Sequence, residues 1–403
     1  MTPAAAHPQR THWPAVLAGV LCGVAIGVNV GKVPLALGAL RDAFSLSLVQ
    51  AGWVAAMLNT LAVVAALGFG LVAGRLGALR MVLGGLLLGS LASLSGLWVQ
   101  NFSGLMISRF FEGAGFLAVA VAAPALVSAA AAPADRRFAL GVWSTYMPAG
   151  AGLAMLVTPL VLPSAGWRGL WLLAAAVLLL AALGVWRQRA HYAVAGASSH
   201  GQPAVATLAV LRQPLPWLLA LAFGAWALQH FALIVWLPTY LREQRGLAPV
   251  TVALLAALML LANVPGNLLG GALIQLGVSR GRMVALAHTL TGLCGLGLAQ
   301  ESWPDGLRYG LCVALSFIGG LIPSAVMSSS AVLAHNPRQI GALQGLIMQG
   351  SQLGQFVGTP LIAWVVASSG QWASARWVSA GAALLGLLLG LAASRCERPE
   401  MQI

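Results

Sequence analysis

Apolar residues run along this chain in long, nearly unbroken stretches, and most charged residues fall in the short gaps between them. A helix needs about 20 such residues to cross a bilayer. Twelve stretches meet that length within a few residues: 14–38, 48–71, 81–99, 103–131, 138–162, 168–187, 215–240, 249–276, 282–300, 306–334, 340–368 and 373–394. Each is continuous rather than alternating, which excludes an outer-membrane barrel. The first is too long for the apolar region of a secretion signal and reads as a span. The pattern predicts an all-α membrane protein of twelve transmembrane helices. The longest polar connection, 187–214, divides the chain into an N-terminal six-helix bundle (1–186), a cytoplasmic linker and a C-terminal six-helix bundle (215–403).

The two bundles repeat one another at an offset of 200. Gly70, Gly77 and Arg80 follow the second helix, and Gly270, Gly277 and Arg280 follow the eighth; Asn29 matches Gln229, and Gly141 matches Gly341. Internal repeats of this kind mark secondary transporters. The sixth and twelfth helices carry long runs with almost no polar side chain, the third offers only serines, and the ninth has His288 and two threonines. The last helix of each three-helix set is therefore expected at the periphery, with the others surrounding something polar.

Composition sharpens this picture. Of the 403 residues 60% are hydrophobic and 7% charged, whereas soluble domains carry about 25% charge. The formal net charge of +13 does not indicate nucleic-acid binding, because the basic residues sit singly or in pairs between apolar runs. They report orientation instead, since positive loops stay in the cytoplasm. With the N-terminus inside, cytoplasmic segments carry 13 arginines against 6 on the opposite side, so both termini are expected in the cytoplasm of a bacterial inner-membrane protein. Cys22, Cys294, Cys312 and Cys396 lie far apart, without metal-type spacing. No metal and no cofactor is expected.

Three motifs resemble the major facilitator superfamily, and the resemblance covers nearly the whole chain. Gly70, Arg75, Gly77 and Arg80 match its signature between the second and third helices, although Gly74 stands where the family carries Asp. The resemblance implies gating by these residues, with the charged cytoplasmic lock weakened. Arg109, Gly113 and Gly115 resemble its fourth-helix pattern, with Glu112 where Gln is common, and Gly166-Trp167-Arg168 resembles a frequent opening of its sixth helix. The run from Trp236 to Tyr240 is similar to cyanate-permease-type and other small-anion importers. In this superfamily the first and fourth helices line the cavity, and organic-anion members often bind substrate through a basic residue of the first helix.

Charge inside a span is costly and usually functional. Lys32 is the only lysine, roughly 27 Å along the first helix at 1.5 Å per residue. Glu112 is the only carboxylate well inside a span, and Arg109, three residues earlier, shares its face. One cluster of Lys32, Arg109 and Glu112 is expected. It reads either as a permanent ion pair or as a coupling switch in which a substrate anion takes Glu112's basic partners and Glu112 takes up a proton. Asn29, Trp143, Tyr146, Gln229, His230, Asn263, Asn267 and Gln352 are candidate substrate contacts, though a lone amide in a membrane helix more often bonds a neighbouring helix. Glycines at 350, 354 and 358, and at 266 and 270, form stripes that serve either static packing or sliding between the halves.

No phosphate-binding loop, paired carboxylates or metal cluster supports an ATPase or an intramembrane enzyme. The expected function is secondary transport of a small organic or inorganic anion by alternating access, with protons as a candidate coupling ion. The partners expected are the small-molecule substrate and the lipid bilayer, around a monomer. The alternative is an efflux pump for drugs or amphiphilic metabolites. Two basic groups to one acidic group within the spans lean toward anions.

Overall fold

The structure is a computed structural model that describes residues 10–196, 209–334 and 337–397; the side chains of 67, 70–75, 137, 193–196, 331, 337 and 338 lie outside the description. All regular structure among the described residues is helical. The first half holds α1 (Trp13–Phe44), α2 (Leu48–Ala56), α3 (Thr60–Leu76), α4 (Ala78–Ser95), α5 (Phe102–Ala130), α6 (Arg136–Ser144) and α7 (Tyr146–Arg187). The second holds α8 (Pro214–Glu243), α9 (Pro249–Leu261), α10 (Asn263–Gln275), α11 (Arg280–Leu298), α12 (Asp305–Gly319), α13 (Leu321–Leu333), α14 (Pro337–Ser369) and α15 (Ala375–Cys396). Among the described residues nine helical stretches are long and apolar enough to cross a membrane.

Several anticipated helices are interrupted, for legible reasons. A single 3-10 turn, Met57–Asn59, separates α2 from α3. The 249–276 stretch breaks at Ala262, where Pro265 removes the donor to the carbonyl four residues earlier. Pro323 does the same at the junction of α12 and α13. The 42-residue α7 runs through Gly166, which takes φ 60° and ψ −170°, a backbone state suited to glycine, and so joins two expected helices across a sharp break. The repeat is visible in the backbone too. Gly77 and Gly277, 200 residues apart, take φ of 83° and 84° at equivalent turns.

The two ends of the molecule differ. At the termini end His12 stacks on His191 with centroids 3.5 Å apart, and the Tyr192 hydroxyl donates to the Ala15 carbonyl at 2.7 Å. At the same end Glu397 accepts from Ser279 Oγ at 2.5 Å and from the Gly281 amide at 3.0 Å. At the far end Arg41 of α1 meets Glu243 of α8 at 2.7 Å, linking the halves. There the largest buried cluster also passes between halves, from Leu37 and Leu40 to Ile234, Leu237 and Val252. A second cluster, including Leu219, Phe223, Ala287, Ile322 and Leu343, belongs to the second half alone.

The glycine stripes pack within a half rather than between halves. A Cβ on Gly354 would stand 2.0 Å from the Gly224 carbonyl oxygen of α8, and one on Gly266 1.8 Å from that of Phe317. Of the two readings open at the sequence level, these contacts favour close backbone packing over a sliding surface.

Candidate functional site

The charged residues of the first half converge as one cluster. Lys32 of α1 donates to Glu112 Oε1 of α5 at 2.7 Å and to Ser93 Oγ of α4 at 2.7 Å. Its ammonium also lies 4.1 Å from the centre of the Trp171 ring on α7. Arg109 pairs with the other carboxylate oxygen of Glu112, one helical turn away. It also donates through Nε to the Val54 carbonyl at 3.2 Å and through Nη1 to that of Asn29 at 3.5 Å. Lys32 and Arg109 are each 1% exposed and Glu112 is 0% exposed. Burying such ions is tolerated only with pairing and further hydrogen bonds, and all are present. Two basic groups share one carboxylate, leaving a formal excess of one positive charge.

This cluster gathers α1, α2, α4, α5 and α7 around one carboxylate. The third and sixth predicted helices leave Leu87, Leu88 and Leu91, and Leu172, Leu179 and Leu180, exposed on one side, yet turn Ser93 and Trp171, both fully buried, onto Lys32. A buried ammonium requires polar or π-electron neighbours at its own level, and those two residues supply them. Neither was singled out from the sequence. Gly113 places α5 against the 3-10 turn Met57–Asn59 at the same level, since a Cβ there would come 2.0 Å from the Leu58 carbonyl oxygen.

The candidates in the second half form two other groups. His230 Nε2 lies 2.9 Å from Ser316 Oγ and stacks on Trp226 at 4.7 Å. Asn263 donates to the Ser316 carbonyl at 2.8 Å, and Asn267 donates to Asn263 Oδ1 at 2.7 Å. These four residues make a network joining α8, α10 and α12, the helix–helix role that lone amides commonly take. Gln229 turns elsewhere, donating to the Thr291 carbonyl at 3.3 Å and to Ser379 Oγ. Trp143 and Tyr146 stack at 4.7 Å and pack against Gly23 of α1.

Buried polar atoms without partners are rare and call for explanation. Asn29 Oδ1, Asn59 Nδ2 and Gln352 Oε1 have none, and their residues are 1–3% exposed. Asn29 and Gln352 were candidates from sequence; Asn59, on the 3-10 turn before α3, was not. Gln349, on α14 beside Gln352, donates across the halves to the Val63 carbonyl at 2.9 Å. At the far end a crevice of about 330 Å³ lies between the halves, lined by Arg41, Asp42, Thr158, Thr239, Arg242 and Glu243. Of the anticipated gating residues, Gly77 caps α4 and Arg80 is exposed. The surroundings of Gly70 and Arg75 lie outside the described residues.

Among the described residues, membrane-length helices with a charged cluster sealed between them are the build of a multi-pass membrane protein. The sequence profile described as Major Facilitator Superfamily matches residues 16–359, and the chain belongs to that family. It is 29% identical to the 2-nitroimidazole transporter of Escherichia coli (strain K12) over 94% of this chain and 95% of that one. It is 28% identical to the 3-(3-hydroxy-phenyl)propionate transporter of the same organism, over 83% and 85% of the two chains. Among solved structures it resembles a bacterial homologue of the human lysosomal transporter Spinster in an inward-facing, unoccupied conformation. That match has a TM-score of 0.77 at 15% identity, covering 94% of this chain and 96% of the other.

Proposed function

We propose that this chain is a twelve-span secondary transporter of the bacterial inner membrane that moves a small organic anion by alternating access, coupled to protons. Both termini and the 187–214 linker lie in the cytoplasm, joining bundles 1–186 and 215–403. The observation that carries the reading is the Lys32–Glu112–Arg109 cluster, with its excess positive charge. An anion drawn to that charge competes with Glu112 for its cations, and the released carboxylate takes a proton. The unpartnered amides of Asn29, Asn59 and Gln352 supply hydrogen bonds to a polar solute. Opening of the far end requires the Arg41–Glu243 bridge to part. Likeness to the 3-(3-hydroxy-phenyl)propionate transporter and to a putative niacin/nicotinamide transporter of Bacillus subtilis (strain 168), the latter at 25% identity, fits small ring-containing organic solutes.

The test is uptake of labelled 3-(3-hydroxyphenyl)propionate and a panel of related acids into proteoliposomes, with and without an imposed pH gradient. Uptake should accelerate when the outside is acidic. Lys32→Gln should lower it by about tenfold or more, the weight of one lost charged contact, because Arg109 and Glu112 remain as a neutral pair and the fold survives. Parent-level uptake by Lys32→Gln would sink the anion mechanism. Likeness to the 2-nitroimidazole transporter favours a second reading, movement of a neutral heterocycle. Selective, pH-independent movement of 2-nitroimidazole would decide for it.

A further inference from the structure

The second half contains a half-open cavity of about 120 Å³, bounded by α8, α11, α12, α14 and α15 and reaching the far end. Its walls are apolar and aromatic, with Ala232, Leu233, Trp236, Leu298 and Trp372 among them. The volume is near the roughly 150 Å³ that accepts benzene, so it holds a ring alone, and any chain on that ring leaves through the open side. On its wall stands Gln229, 5% exposed, whose amide nitrogen is committed to Thr291 and Ser379 while Oε1 has no partner. Toward the far end the lining includes Arg308, Arg376 and Glu301. Arg308 is occupied by Asp305, the Leu298 carbonyl and the Tyr240 hydroxyl. Arg376 lies 5.1 Å from the Trp377 ring, and its Nε is buried with no hydrogen-bond partner.

These features give three requirements along one axis: a hydrogen-bond donor at the Gln229 end, a flat apolar body beside Trp236, and an anion at the far end. The lining runs along α8 from Gln229 to Tyr240, roughly 16 Å of helix. We infer that this cavity is a second binding site, for a small aromatic acid with a hydroxyl on its ring and its carboxylate on a short alkyl chain. The ring hydroxyl donates to Gln229 Oε1, the ring packs against Trp236, and Arg376 takes the carboxylate. A fatty acyl chain fits less well, because it leaves the buried acceptor unsatisfied. Every wall belongs to the second half, so rocking of the halves does not carry the site from one face of the membrane to the other. Its occupant is a bound effector and not cargo. The site is independent of the coupling role proposed for Lys32 and Glu112.

Equilibrium dialysis of labelled 3-(4-hydroxyphenyl)propionate against the full chain in lipid nanodiscs tests this. In the Lys32→Gln background, where the transport site is weakened, saturable binding should weaken about tenfold on adding Arg376→Gln, the usual weight of a charge-assisted hydrogen bond, and disappear on adding Ala232→Phe, which fills the cavity. Competition by 3-phenylpropionate should be about tenfold poorer than by the hydroxylated acid, as one buried hydrogen bond is missing. The Lys32→Gln chain should therefore retain one saturable site, which separates this cavity from the transport site. Arg376 is only half-buried, so its variant keeps the test readable if Ala232→Phe does not fold. The inference is overturned by absence of saturable binding, by unchanged affinity on adding Arg376→Gln to that background, by loss of binding in Lys32→Gln, or by octanoate competing as well as the hydroxylated acid.

Discussion

Positions 200 residues apart, one in each half of the chain, carry very different side chains. At the offset of 200, Lys32 corresponds to Ala232, Arg109 to Tyr309 and Glu112 to Cys312. In the first half those positions hold three ionised groups with 1% exposure or less. In the second half Ala232 lines an apolar cavity, Cys312 is a buried thiol, and Tyr309 donates its hydroxyl to the Leu255 carbonyl at 2.9 Å. A duplicated scaffold therefore tolerates opposite interiors, provided each polar group finds its partners. Close backbone packing at glycines serves both halves, at Gly113 and Gly150 in the first and along α14 in the second; the first adds a buried ion cluster.

The sharpest way to break this comparison is Glu112→Gln. It strands two buried cations, and loss of one partner from such a cluster costs about 3–5 kcal/mol. Thermal unfolding in detergent should show a large fall in Tm or no folded protein, whereas Cys312→Ala at the matched position should cost roughly 1 kcal/mol. Equal melting of the two variants would contradict the contrast. Next in size is Trp171→Leu, which removes the ring beside the Lys32 ammonium. A desolvated cation–π contact is worth about 2 kcal/mol, and the same melting assay should report a loss near that value. A loss within error of zero would mean that Ser93 and Glu112 suffice for Lys32. The smallest effect should come from Arg41→Gln, where the halves touch. An exposed bridge contributes about 1 kcal/mol or less to stability, so Tm should barely move. Crosslinking between cysteines introduced on α1 and α8 at the far end should nevertheless decrease, and unchanged crosslinking would remove the bridge from the gate.

Much of this architecture was legible from the chain because a membrane forces apolar continuity on every span. The Lys32–Glu112 pair was also legible, since a lysine and a carboxylate at similar depth have few alternatives in such a setting. What escaped was the identity of the neutral partners. Ser93 and Trp171 sit in helices that look inert, and only the rotation of α4 and α7 about their axes brings them to Lys32. Hydropathy carries little information about that rotation. Gln229 was misleading in the other direction: its polarity suggested the transport path, but the packing turns it into the second half. The breaks at Ala262 and Gly320 follow from prolines three residues downstream, a signal that long apolar runs conceal.

One carboxylate shared by two cations also limits the order in which the cluster can be lost by successive substitution. Removing Lys32 first leaves a neutral Arg109–Glu112 pair, a viable intermediate. Removing Glu112 first leaves two mutually repelling charges, a nearly closed route. Any lineage that descends from such a chain and has discarded the cluster should therefore have passed through a form without the lysine. Chains that keep the lysine while lacking the glutamate should need a new acid nearby.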